Sequence, residues 1–234
     1  MPQKGKKPKK ALSITRPRGM RDLRNDTFYN YQGFFERASE VAVYYGFNPI
    51  ETPLVEREGI FTSGIGPATD IVEKEMYQVK GRRGDSLVLR PEGTAGIMRA
   101  YLENGMHAEP QPVMLYYYGP FFRHEKPQQG RFREFYQFGL EMLGTQHSIS
   151  DATIIRATDL ILKEAGFKET SVLINSIGCK DCRPNFMKSL VTYYKKHLGD
   201  LCPNCRQRIK QNPLRILDCK DGNCSEFKEG APET

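Results

Sequence analysis

The chain has 234 residues, enough for one large domain or for one domain with a small appendage. Hydrophobic residues make up 38% and charged residues 27%, as in soluble globular proteins. No apolar run approaches the roughly 20 residues of a membrane-spanning helix. The N-terminus lacks the apolar segment of a secretory signal, so a cytoplasmic setting is expected. The formal net charge is +7, but Lys4, Lys6, Lys7, Lys9 and Lys10 all precede the first acid. Without these five, 30 bases stand against 28 acids, and the body is only mildly basic. Residues 1–15 are expected to form a disordered basic tail. It is either a solubility tail or a segment that touches RNA phosphates without sequence preference.

In chain order, residues 22–45 carry Phe28, Tyr31, Phe34, Phe35, Ala38, Val41, Ala42 and Tyr45 at helical spacing, with Asn25 and Asp26 as capping candidates and Gly46 as the stop. Residues 47–55 read as extended, and Pro49 and Pro53 place that stretch at a sheet edge or an interface. Residues 61–70 read as loop. Residues 76–79 and 87–90 read as two strands of a hairpin around the turn at 81–85. Pro91-Glu92-Gly93-Thr94 follows at once and leads into a helix over 95–103. A carboxylate and a hydroxyl at a strand-to-helix turn suit a small polar ligand, while a threonine such as Thr94 taken alone is more often a simple helix cap.

Residues 113–123 and 133–143 read as a long hairpin joined by the polar loop 126–130. Alternation puts Arg133, Phe135, Gln137, Gly139 and Glu141 on one face and Tyr136, Phe138, Leu140 and Met142 on the other. Phe121, Arg123 and Glu125 share one parity on the incoming strand. The apolar face can enter a core, whereas the other suits the floor of a polar cleft. Arg123 can grip a phosphate or carboxylate through two parallel hydrogen bonds. Glu125 can accept from an exocyclic amine, and Phe135 offers a ring on which a base can stack. The competing reading is a surface hairpin with solvated charges. His124, of opposite parity to Arg123, reads as a packing residue. Residues 150–165 read as a helix closed by Gly166, and 171–176 as a short strand. Together these elements predict an α+β fold, an antiparallel β-sheet flanked by helices. No glycine-rich phosphate loop occurs, so a nucleotide site must use the open face of the sheet.

All six cysteines follow residue 178, and in a cytosolic protein they are expected to be metal ligands or free thiols. Cys179-x-x-Cys182 and Cys202-x-x-Cys205 are separated by 19 residues, a spacing that fits a zinc site. A helix is expected between the pairs, over 184–198. Cys219 and Cys224 could replace or supplement one pair, and reduced structural thiols are the alternative.

Several stretches resemble a known family. Gly46-Phe47-x-x-Ile50-x-x-Pro53 is similar to motif 1 of class II aminoacyl-tRNA synthetases. Arg123-x-Glu125, a loop, and Arg131-x-x-x-Phe135 are similar to motif 2. RGMRDL (18–23), LRPEGT (89–94), FRHEKPQQGRFREFYQFGLE (122–141) and NPLRILDCK (212–220) resemble histidyl-tRNA synthetases in particular. The resemblance implies a class II catalytic core over 16–176 and part of a helical, cysteine-containing insertion domain over 177–234. It also implies ATP-dependent activation of L-histidine to histidyl-adenylate, transfer to tRNA(His), Mg2+ accompanying ATP, and a homodimer formed through motif 1.

By the same resemblance Arg123, Glu125, Arg131 and Phe135 would bind ATP, with Arg123 catalytic. Glu92, Thr94, Gln137 and Glu141 would bind histidine, and Gln128, Gln129 and Gly130 would face the tRNA. Two other readings compete: a histidine-binding regulatory paralogue that does not charge tRNA, and an RNA- or zinc-binding module. The Arg123/Glu125 pair and the tRNA-facing loop favour the ligase. The family's third motif, a segment like LVRGLDYY and an anticodon-binding domain do not occur in these residues. The chain therefore resembles the N-terminal part of a longer enzyme. Residues 1–234 alone are expected to charge tRNA negligibly, and turnover near full-length rates would reject that expectation.

Overall fold

The computed structural model describes residues 14–66, 69, 71–81, 84–126, 128–176 and 178–233. Lys4, Lys6, Lys7, Lys9 and Lys10 of the basic tail lie outside the described residues, as do Arg82 and Arg83 of the expected turn and Pro127 of the polar loop. The chain divides into two compact units, Met1–Thr170 and Ser171–Thr234. Among the described residues no helix is long and apolar enough to cross a membrane.

In the first unit, α1 (Asp26–Tyr44) buries Phe35, Ala38, Val41 and Ala42 along one stripe. Asn25 stands at its N-cap position but makes no side-chain capping bond. Three strands, β1 (Asn48–Pro49), β5 (Val113–Phe122) and β6 (Glu134–Leu143), form one sheet in the order β1-β5-β6. The β5–β6 pair is antiparallel, but β1 runs parallel to β5. The expected purely antiparallel sheet therefore gains a short parallel edge. The edge is only two residues long, although the Ile50 N–H still donates to the Tyr116 carbonyl at 2.9 Å.

A second, antiparallel sheet has the order β2-β4-β3, from β2 (Val55–Arg57), β3 (Tyr77–Lys80) and β4 (Ser86–Leu89). Residues 61–64, expected as loop, belong to α2 (Glu58–Gly64). The reason is burial: Phe61 is fully enclosed and packs with Val88 and Ala95, which fixes this short helix on the sheet.

The two faces of the long hairpin have different fates. Tyr116, Phe138, Leu140 and Met142 pack with Ala42 and Phe47 and with Ile154 of α4 (Ser148–Glu164), and Ile161 of α4 packs with Ala38 and Val41 of α1. On the opposite face, α3 (Thr94–Glu103) sets Ile97 and Tyr101 against Val113 and Leu115, at one end of the hairpin only. The rest of that face carries the polar residues. Residues 171–176, expected as a strand, have no regular structure. Leu173 and Ile174 are almost fully exposed, and no strand among the described residues pairs with them.

The second unit is helical. It contains α5 (Arg183–Lys196), α6 (Pro203–Gln211), a 3-10 turn (Pro213–Ile216) and the short α7 (Gly222–Ser225). Its core joins Leu190, Tyr194, Leu201, Ile209 and Ile216 to Cys205, Cys219 and Cys224.

One close approach shapes the polar face. The Tyr117 ring lies against Gly93 on one side and Gly139 on the other, and a Cβ at either glycine would overlap the ring. Gly139→Ala is expected to destabilise the first unit by about 1–3 kcal/mol, the usual cost of overpacking. Urea unfolding checks this, and an unchanged midpoint would refute the tight fit.

Candidate active site

The register of β5 against β6 sets the site. Phe121 stands opposite Phe135, Gly119 opposite Gln137, Tyr117 opposite Gly139 and Leu115 opposite Glu141. Cross-strand partners share a face, so Phe135, Gln137 and Glu141 line up along one surface, as alternation predicts. Pairing continues past the strand ends: the Arg123 N–H donates to the Arg133 carbonyl at 2.9 Å.

At the open end, Arg123 is held in place by its Nε, which donates to the Pro91 carbonyl at 2.8 Å. Its guanidinium lies 5.2 Å from the centre of the Phe135 ring. Glu125 sits between two cations, 4.0 Å from Arg123 and 3.1 Å from Arg131. Arg123, Glu125, Arg131 and Phe135 line one cavity of about 590 Å³ together with Arg21, Tyr31 and Phe132. Arg21 was not singled out from the sequence. Its guanidinium hydrogen-bonds the Tyr31 hydroxyl and lies 4.1 Å from the Phe132 ring centre. The one available signal was its place in the RGMRDL segment. His124 packs edge-on against Tyr77, with ring centres 5.3 Å apart. The loop tip is a tight turn: Gln128 and Arg131 bridge each other, and Gly130 takes φ 77, a region that favours glycine. Gln128, Gln129 and Gly130 are all exposed.

Further along the same face lies an acidic group. The Glu92 carboxylate accepts from the backbone N–H groups of Thr94 and Ala95 at 2.7 and 2.9 Å, so Glu92 caps α3. Thr94 is the first residue of α3, and its hydroxyl donates to Glu141 at 2.7 Å. Burial raises the Glu141 carboxyl above its ordinary range, and the Glu92 charge adds to this while the Thr94 hydrogen bond opposes it. Tyr117 is pushed up to about 12 by burial and by the Glu141 and Glu92 charges. The Gln137 Oε1 is buried and has no hydrogen-bond partner among the described residues. Two carboxylates and an unpaired carbonyl oxygen thus belong to this part of the face.

Arg90 holds the two sheets in relation. Its Nε donates to the Pro120 carbonyl at 3.0 Å, and its Nη1 donates to the Thr52 carbonyl at 2.9 Å. The guanidinium also lies 4.4 Å from the Phe121 ring centre. Sequence reading treated Arg90 only as the end of a strand. Its role depends on partners 38 and 30 residues away in the chain.

The cysteines regroup. The Sγ atoms of Cys202, Cys205, Cys219 and Cys224 all lie within 4.8 Å of one another. Cys179 and Cys182 are not part of that group; both are exposed, with sulfurs 3.5 Å apart. The expected set of Cys179, Cys182, Cys202 and Cys205 is therefore not assembled. Cys182 precedes α5 whereas Cys205 lies in α6, and the chain instead folds back after α6 to bring Cys219 and Cys224 to Cys202 and Cys205.

The fold is that of a class II aminoacyl-tRNA synthetase. A profile described as histidyl-tRNA synthetase matches residues 19–181, and the chain belongs to that family. It is 46% identical over 223 residues to the histidine–tRNA ligase of Desulforamulus reducens, covering 95% of this chain and 53% of that one. It is 44% identical to that of Desulfitobacterium hafniense over the same shares. The crystal structure of apo S. aureus histidyl-tRNA synthetase superposes with a TM-score of 0.70 at 28% identity, covering 95% of this chain and 56% of that one. The chain thus spans about half the length of the curated relatives it matches.

The raised Glu141 carboxyl carries a stability consequence. A carboxylate whose folded value lies above its unfolded value costs stability as pH rises through that interval. Glu141→Gln keeps an acceptor for Thr94 and removes the charge. It is expected to raise Tm at pH 7, and the gain is expected to vanish at pH values below the carboxylate range. A Tm gain that persists in acid would refute the assignment.

Proposed function

We propose that the hairpin face is the histidine-activating site of a histidine–tRNA ligase. The observation that carries this reading is one surface with two chemistries. Guanidinium groups gather at its open end, and acids with a buried, unpaired Gln137 oxygen gather further along. ATP is an anion with a flat base. Free histidine carries an ammonium group, a ring N–H and a carboxylate. Laid along this face, the two would meet with the histidine carboxylate next to the α-phosphate.

In this reading Glu92, Thr94 and Gln137 take the α-ammonium group, and Glu141 accepts from the imidazole N–H. A buried carboxylate facing a ring N–H rejects analogues that cannot donate, because its desolvation is then uncompensated. The histidine carboxylate attacks the α-phosphorus, the bond to the leaving oxygen breaks, and pyrophosphate departs. Arg123 bridges the two anions and stabilises the charge that builds between them, a contribution of about 3 kcal/mol for a well-placed donor in a dry site. Glu125 meets the adenine amine, Phe135 stacks on the base, and Arg131 leaves Glu125 to reach the outer phosphates. A hydroxyl at the tRNA(His) 3′ end then attacks the adenylate carbonyl and AMP leaves, with Gln128, Gln129 and Gly130 toward the acceptor end.

Mg2+ would arrive on the triphosphate and neutralise its charge. Among the described residues the only close group of three or more metal-ligating side chains is the cysteine set, so no carboxylate cage is assigned to Mg2+. Exposed Leu54 and Val55, beside the motif 1 segment, support a homodimer through that edge.

Calorimetry separates the two halves of the site. Glu141→Ala is expected to weaken L-histidine binding about 10- to 100-fold, the range for a lost charged hydrogen bond, and to leave ATP affinity within about twofold. Arg123→Lys, which loses the two-pronged grip, is expected to do the reverse. Histidine affinity unchanged by Glu141→Ala would sink the assignment. Histidine binding without any ATP binding would instead favour the regulatory reading.

A further inference from the structure

We propose that Cys202, Cys205, Cys219 and Cys224 bind a single zinc ion that staples the second unit. This site lies outside the chemistry proposed above. The spacing is Cys-x2-Cys, 13 residues, then Cys-x4-Cys, which sequence pattern alone did not favour. Geometry supports it directly. Four thiolates around zinc at about 2.3 Å form a tetrahedron with sulfur–sulfur edges of about 3.8 Å. Here all four sulfurs lie within 4.8 Å of one another, and the Cys202 and Cys219 sulfurs are 3.9 Å apart. A disulfide would require about 2.05 Å, and all six cysteines are free.

The surroundings are those of a closed structural site. Cys205, Cys219 and Cys224 are buried, and Cys202 is half-buried. The Cys202 N–H donates to the Cys224 sulfur at 3.2 Å, a bond that strengthens when the sulfur is a thiolate. Each pair is presented by a tight turn. Cys202 precedes α6 and Cys205 lies in its first turn. Cys219 follows the 3-10 turn, and Cys224 lies in α7, which Asp221 caps by accepting from the Asn223 N–H. A fully buried Tyr194 hydroxyl without a partner among the described residues belongs to the same cluster.

The need for a staple is also visible. Among the described residues the unit's core cluster holds eight buried residues, three of them cysteines. Cores of this size seldom stabilise a fold alone, and structural metals commonly make up the shortfall. Soft thiolates in a four-sulfur tetrahedron select zinc or iron. Zinc is chosen here because all four positions are filled by protein and nothing in the arrangement calls for redox chemistry.

The test is metal analysis of the purified chain, with zinc titration of any metal-free fraction. About one zinc per chain is expected, and Co2+ exchanged into the site should give the absorption of a tetrahedral tetrathiolate. Cys179→Ser/Cys182→Ser should keep the ion. Cys219→Ser/Cys224→Ser should lose it, whereas Cys224→His, which retains a ligand, should keep it. Chelation should speed proteolysis within 171–234 by at least about tenfold, as loss of a tightly bound ion requires. No zinc uptake by the wild type, iron in its place, or loss of the ion from Cys179→Ser/Cys182→Ser would each overturn the proposal.

Discussion

The register between β5 and β6 is the constraint on which the first unit depends. With Phe121 opposite Phe135, Phe135, Gln137 and Glu141 fall on one face and Tyr136, Phe138, Leu140 and Met142 on the other. A slip of one residue would exchange the faces. It would drive Glu141 and Gln137 into α1 and α4 and expose Phe138 and Leu140. Two devices resist such a slip. Tyr116, Phe138 and Leu140 are committed to the helical side, and the Tyr117 ring fits only where Gly93 and Gly139 leave space.

The polar face is organised by charge rather than by shape. At its open end cations exceed acids, and Glu125 is shared between Arg123 and Arg131. Further along, Glu92 and Glu141 come together with a tyrosine whose ionisation burial suppresses. Each end is electrostatically incomplete by itself. Arg90, buried between the sheets and bonded to carbonyls on two other segments, keeps the Pro91–Thr94 turn fixed beside the hairpin.

The second unit follows a different principle. Its helices are short and polar, and its core leans on sulfur. Where a sheet commits side chains through alternation, this unit commits them through convergence of two turns. That convergence depends on the chain reversing after α6.

The hairpin, its faces, the helix after Glu92 and the membership in a synthetase family were legible in the sequence, because period-two alternation and local turn chemistry are short-range properties. Phe135, Gln137 and Glu141 could be aligned by counting. The partners of Arg90 and the cradle around Tyr117 were not legible, since each joins residues far apart in the chain. Burial of Phe61 turned an expected loop into helix, and no strand among the described residues pairs with 171–176, which have no regular structure. The cysteines mark the division most clearly: their spacing raised the expectation of a metal site, but which four sulfurs meet was decided by the path of the backbone through α6 and α7, a tertiary property that spacing does not encode.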